Sequence, residues 1–160
     1  MKKATTAKKK NKGKEKATRT LILNAAIRVF SRHAYRAASI RMIGKEAEID
    51  HPLISYYFPT KAELFKEVIR VNDEDLRKAS KKFYEGLADM SISRGFSIFL
   101  DRLLEFQRTH QEYFRILALN MVTSEAEEAI PGYETLQRST ERQMELFIND
   151  YQITRPKYEV

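Results

Sequence analysis

The chain has 160 residues and a mass of 18.8 kDa, enough for one ordinary domain or a small domain joined to a medium one. With 42% hydrophobic and 32% charged residues it can bury a core, and no run approaches the roughly 18 apolar residues of a membrane span. It has no cysteine, which excludes a disulfide framework, a thiolate metal site and a thiol nucleophile, and its net charge is +7.

That charge is concentrated at the start. Residues 1–18 hold eight lysines against Glu15 and alone equal the net excess, whereas residues 70–160 are slightly acidic. Such a gradient suggests a polyanion bound at the N-terminal end. The segment has almost no large apolar side chains, so it is expected to be a disordered basic arm tracking phosphates. Met1-Lys2-Lys3 lacks the apolar run of a secretory signal, so the expected compartment is the cytoplasm.

From Thr20 the apolar spacing is helical, and no run alternates as a half-buried strand would. Thr18 or Thr20 can cap a first helix with Ile22, Ala26, Val29 and Phe30 on one face. A second, barely two turns long, starts after Ser39 and runs Ile40 to Ala47 with Ile40 and Ile43 inward. A third runs from an Asp50 cap through Pro52 to Tyr57, where Phe58-Pro59 stops it. Thr60-Lys61-Ala62-Glu63 has the spacing of a capping box and opens a fourth helix, with Leu64, Phe65 and Val68 inward. The stripe Leu76, Ala79, Phe83 and Leu87 continues it to about Ala88, with a bend at Asn72-Asp73.

Three more amphipathic helices follow. Phe96, Leu100, Leu103 and Phe106 face inward on the first, and Phe114, Leu117, Ala118 and Met121 on the second, between His110 and Thr123. After Pro131-Gly132 comes the last, with Leu136, Met144, Phe147 and Tyr151 on one face, ended by Arg155-Pro156. The expected fold is therefore all-α.

Two short helices at 39–57, joined by a tight turn and braced by a first helix, have the form of a helix-turn-helix. The second must project so that its first turn enters a major groove about 12 Å wide. Its exposed residues would be His51, Pro52, Leu53, Ser55, Tyr56 and Tyr57, with Ile54 and Phe58 turned inward. No catalytic constellation competes with this reading. His33, His51 and His110 lack metal-ligand spacing, no phosphate or dinucleotide loop occurs, and Glu125, Glu127 and Glu128 read as solvated acid. The chain is thus not expected to be an enzyme, nor to carry a metal or other cofactor.

The residues Ile22, Ala25, Ala26, Phe30, Tyr35, Ser39-Ile40, Ile43, Lys45-Glu46-Ala47 and Ile49 carry a family likeness. It continues through Leu53-Ile54, Tyr56, Phe58, Lys61, Glu63-Leu64-Phe65 and Val68. Over these fifty residues the chain resembles the DNA-binding domain of the TetR family of transcriptional regulators. The resemblance implies three parts: residues 1–18 as the arm, 19–66 as a three-helix DNA-binding domain, and 67–160 as an antiparallel helical domain for ligand binding and dimerisation.

By the same resemblance, 51–57 is the recognition helix, Ser39 and Arg41 meet phosphate, Tyr56 and Tyr57 touch backbone or bases, and Lys61 clamps a phosphate. The implied function is a transcriptional regulator, a repressor in most members, released from its operator by a small apolar or amphipathic ligand. Its partners would be double-stranded operator DNA, an inverted repeat in form, and a second copy of the chain. The pocket would draw on Phe96, Phe99, Leu103, Phe106, Phe114, Met121, Met144 and Phe147. The alternative is a basic-tailed helical protein that binds nucleic acid without reading sequence, or binds an acidic partner.

The chain departs from the family pattern at several points. Ala34 and Glu48 stand where the family usually has glycine, and Ser55 replaces a tyrosine. A side chain at a glycine position of positive φ is strained. Members also carry two further C-terminal helices that pair subunits, so pairing here would fall to helices such as 134–151.

Overall fold

The computed structural model describes residues 3–87, 89–121 and 130–150, with side chains at all of these except 3–12, 92, 121, 136, 140, 143, 144 and 146–150. The acidic cluster at 125–128, Tyr151, Arg155-Pro156 and the side chains of Leu136, Met121, Met144 and Phe147 lie outside the described residues. Among the described residues every regular element is a helix: α1 (Lys3–Phe30), α2 (Ile40–Ala47), α3 (His51–Tyr57), α4 (Lys61–Tyr84), α5 (Ile92–Thr109), α6 (Gln111–Met121) and α7 (Tyr133–Asp150). The all-α expectation holds.

The first correction concerns the N-terminus. Residues 3–18 are not a disordered arm but the leading part of α1, which runs unbroken for 28 residues. Lysine and alanine are good helix formers, and extending an existing helix avoids the nucleation cost. Thr18 and Thr20 accordingly do not cap. Their Oγ1 atoms donate to the carbonyls of Lys14 (3.0 Å) and Lys16 (2.9 Å), one turn back inside the helix.

The chain forms two compact units, Met1–Val68 with Glu112–Pro131, and Ile69–Gln111 with Gly132–Val160. A division at 66/67 therefore fails for α6, which belongs with the N-terminal unit. The reason is a buried polar contact: the Asn120 side chain accepts the Tyr35 backbone N–H at 2.8 Å, and its Nδ2 donates to the Ile116 carbonyl at 2.7 Å. The buried positions of α6 are Tyr113, Ile116 and Asn120. The expected inward face was misplaced by a fraction of a turn, since Ala118 is exposed and Phe114 and Leu117 are half-buried.

The core of the N-terminal unit is built by Ile22, Ala25, Ala26, Val29 and Phe30 of α1, Ile43 and Ala47 of α2, Ile54 of α3, and Leu64, Phe65 and Val68 of α4. Phe30 meets Phe65 edge-to-face at 4.8 Å, and Tyr35 leans on Phe65 at 4.9 Å. Burial pushes the Tyr35 phenol above its ordinary pKa.

In the second unit α4 continues without interruption to Tyr84. Phe83 packs on Phe106 (5.7 Å) and Phe99 (6.3 Å), and the Phe106 ring stacks on His110 at 3.9 Å. One Arg102 nitrogen, Nη1, donates to the carbonyls of Lys82, Phe83 and Glu85, satisfying the C-terminal end of α4 with a cation. Arg142 of α7 reaches Asp73 of α4 at 3.3 Å.

Candidate nucleic-acid interface

The approach to the site is capped locally. Ser39, in extended backbone, caps α2 by accepting the Met42 N–H at 3.3 Å. Thr60 caps α4 by accepting the Glu63 N–H at 3.1 Å. Asp50 holds the N-cap position of α3 but its carboxylate makes no cap bond, contrary to expectation, and Pro52 sits in the first turn instead.

The turn between α2 and α3 is tight. Glu48 ends α2 in the left-handed region, at φ 55 and ψ 41, and is the one non-glycine residue with positive φ among the described residues. Its backbone N–H and that of Ile49 both return to the Gly44 carbonyl. A Cβ on Gly44 would come within 2.8 Å of the Ile49 carbonyl oxygen, so the turn closes directly over a bare backbone. Ala34, the other departure from glycine, does not have a positive φ. Replacing Glu48 by glycine removes the strain at an exposed position, and Glu48→Gly is expected to raise unfolding free energy by about 0.5–1 kcal/mol. Urea denaturation of both chains checks this; a destabilised variant would mean that the left-handed cap is not strained here.

α2 is clamped to α1 by charge. Glu46 accepts from Arg28 Nε at 2.6 Å and from Arg32 Nη1 at 3.2 Å. The Arg28 hydrogen bond holds the Glu46 carboxyl below the usual carboxylate range, helped by the charge of Arg32.

With the scaffold fixed, α3 projects as the sequence requires. Ile54 is fully buried and Phe58, its C-cap, nearly so. His51, Pro52, Leu53 (43% exposed) and Tyr56 (73% exposed) face solvent, while Ser55 and Tyr57 are half-buried. The Tyr56 and Tyr57 rings meet edge-to-face at 5.1 Å. Seven residues of helix are about 10 Å long, a fit to a major groove. Ser39 and Arg41 are exposed at the start of α2. Leu53 and Tyr56, three apart, share one face of the helix.

Lys61 does more than its expected role. At the first turn of α4 its ammonium donates to the carbonyls of Tyr35 and Ala38, both at 2.9 Å, and lies 4.4 Å from the Tyr35 ring centroid. It therefore holds the loop that leads into Ser39. Two of its three N–H donors are committed inside the protein.

The predicted pocket residues do not come together in the same way. Phe96 is 45% exposed and lies on α5 with exposed Leu100 and Leu104, while Phe99 and Leu103 are half-buried and Phe106 is core. Phe114 falls in the other unit. An inward face through Phe96 and Leu100 is thus overturned. Three positioning residues escaped the sequence reading: Gly44, Asn120 and Arg19. Arg19 pairs with Glu67 at 2.7 Å and lies 4.9 Å from the Phe58 ring centroid. Only Asn120, a polar side chain inside the apolar run of α6, left a signal. Among the described residues no group of acidic or histidine side chains could hold a metal ion, and no helix is long and apolar enough to cross a membrane.

Comparison with known proteins agrees with this geometry. The family model "Bacterial regulatory proteins, tetR family" matches residues 22–68. The chain is similar to the HTH-type transcriptional repressor SCO4008 of Streptomyces coelicolor, 33% identical over 101 residues, covering 63% of this chain and 48% of that protein. It is also similar to the HTH-type transcriptional repressor NicS of Pseudomonas putida, 30% identical over 101 residues, covering 63% and 47%. The chain thus spans about half the length of the curated relatives it matches. A crystal structure of a tetR-family transcriptional regulator from Streptomyces coelicolor shares the fold with a TM-score of 0.67 at 21% identity, covering 88% of this chain and 60% of that one. Through residues 22–68 and the helical fold around them, the chain belongs to the TetR family.

Proposed function

We propose that the protein is a sequence-specific transcriptional regulator of the repressor kind, acting in the cytoplasm, which binds an inverted-repeat operator as a homodimer and leaves it on binding a small apolar or amphipathic ligand. The observation that carries the DNA-reading part is the docking of α3: Ile54 and Phe58 are buried beneath a helix whose Leu53 and Tyr56 stand in solvent. Two relatives named as repressors favour that sign of regulation. Ser39, Arg41, Tyr56, Tyr57 and Lys61 would hold phosphates, while His51, Pro52, Leu53 and Ser55 would face base edges. A histidine and a serine can hydrogen-bond to bases, and leucine can meet a thymine methyl. The set holds no Arg, Asn or Gln, so phosphate contacts and duplex shape would carry much of the affinity.

The test is selection of bound duplexes from a random library at about 150 mM salt. An enriched inverted repeat with elements about one helical turn apart supports a dimeric reader. Enrichment of a single half-site would remove the dimer, and no enrichment would sink the sequence-reading proposal. On the selected duplex, Tyr56→Ala is expected to weaken binding about tenfold or more, while the melting temperature stays within a degree or two because the ring is exposed. A large loss of thermal stability would instead place the Tyr56 ring in the core.

A further inference from the structure

The leading part of α1 carries a charge density that the proposed reading of DNA by α3 does not use. Residues 1–18 hold eight lysines, yet α1 is a helix from Lys3 onward. Along its length α1 shows almost no amphipathic character, so the leading segment has no apolar stripe with which to pack on the protein. Lys14, Glu15, Lys16 and Ala17 are all exposed. Lysines four apart in sequence, at 8 and 12, 10 and 14, and 12 and 16, repel on a helix. The first turn contains no acidic residue to complement the helix dipole. A helix so charged is relieved by a polyanion.

Its direction is fixed at the base. Arg19 is held between Glu67 and the Phe58 ring, and Phe58 is the C-cap of α3. The extension therefore leaves the unit beside the C-terminal end of the helix proposed to enter the groove. From Arg19 back to Lys3 it spans about 24 Å, a distance over which B-DNA presents roughly fourteen phosphates.

We propose that residues 3–18 form a second DNA-binding element, a lysine-rich helix that lies along the phosphate backbone flanking the segment entered by α3. It contacts phosphate without reading sequence and extends the footprint by up to about seven base pairs on the side of the α3 C-terminus. This rests on the regulator reading above, which supplies the duplex. Lysines surround the helix, so about half of any set face one strand.

The experiment compares the full chain with a full-length variant carrying Lys8→Gln, Lys9→Gln, Lys10→Gln, Lys12→Gln, Lys14→Gln and Lys16→Gln. Glutamine matches lysine in helix propensity, so charge is removed while the helix is retained. Affinities are measured from 50 to 200 mM salt on the selected duplex and on a scrambled one, with hydroxyl-radical footprints. The slope of log K against log salt is expected to fall by about three on both duplexes. Salt would then weaken the variant about 40-fold less than the parent over that range. The footprint is expected to shorten on one flank, while the preference for the selected duplex persists.

A variant with the parental slope and footprint would overturn the proposal and leave the regulator reading intact. A fallen slope on both duplexes from a parent that never preferred either would uphold the phosphate contact and sink the regulator reading. An unmoved slope with lost binding to phosphatidylglycerol vesicles would also overturn it, assigning the lysines to a membrane surface.

Discussion

Shortening Ile54 to alanine is expected to lower the unfolding free energy by about 3 kcal/mol and to take DNA binding with it. α3 has seven residues, too few for a helix to persist alone in water, so it exists because it is docked. Within the helix only Ile54 is buried, and its Cδ1 reaches the bare backbone of Gly44 across the turn. Deleting its outer carbons leaves a cavity between α2 and α3 and frees the recognition helix to tilt. Leu53→Ala is the control on the same helix: its side chain is 43% exposed, so stability should change by less than about 0.5 kcal/mol while affinity falls. Chemical denaturation and equilibrium binding of both variants separate the roles. An Ile54→Ala chain within 1 kcal/mol of the parent would show that α3 is held by something other than this side chain.

Lys61→Ala should cost about 2 kcal/mol and also weaken binding to every duplex. The stability loss follows from the two carbonyls of the loop before α2, which lose a charged donor, and from the Tyr35 ring, which loses the cation above it. Lys61 is half-buried, which tempers the figure through solvent screening. The binding loss has two sources with different signatures. Release of the loop displaces Ser39 and Arg41 and changes affinity without changing the salt slope. Loss of a phosphate contact made by the third donor lowers the slope by about one, which is the expected result. Lys61→Met, which keeps the aliphatic stem, should behave like the alanine variant in both measurements. Unaltered stability would remove Lys61 from the loop, and an unaltered slope would remove it from the phosphates.

These two residues mark the limit of what can be read along the chain. Ile54 as an inward residue between exposed neighbours follows from helical spacing, and the structure buries it fully. Lys61 carried a family signal, yet nothing nearby in sequence shows that its ammonium serves the carbonyls of residues 23 and 26 positions earlier. Asn120, 85 residues from the N–H it accepts, is further still beyond the reach of pattern.

By itself, the sequence determined the helical class, the bounds of α2 and α3, the caps at Ser39 and Thr60, the strain at Glu48 and the outward face of the recognition helix. Each depends on residues within one or two turns, where hydrogen-bond geometry and side-chain period act locally. Tertiary structure alone decided that α6 joins the N-terminal unit, that Phe96 and Leu100 face solvent, that the Asp50 carboxylate makes no cap bond, and that the lysine-rich start is helix rather than coil. Those outcomes turn on which surface meets which partner. An amphipathic stripe shows that a face will be buried; only the packed fold settles against what, and a rotation of a fraction of a turn exchanges core for surface.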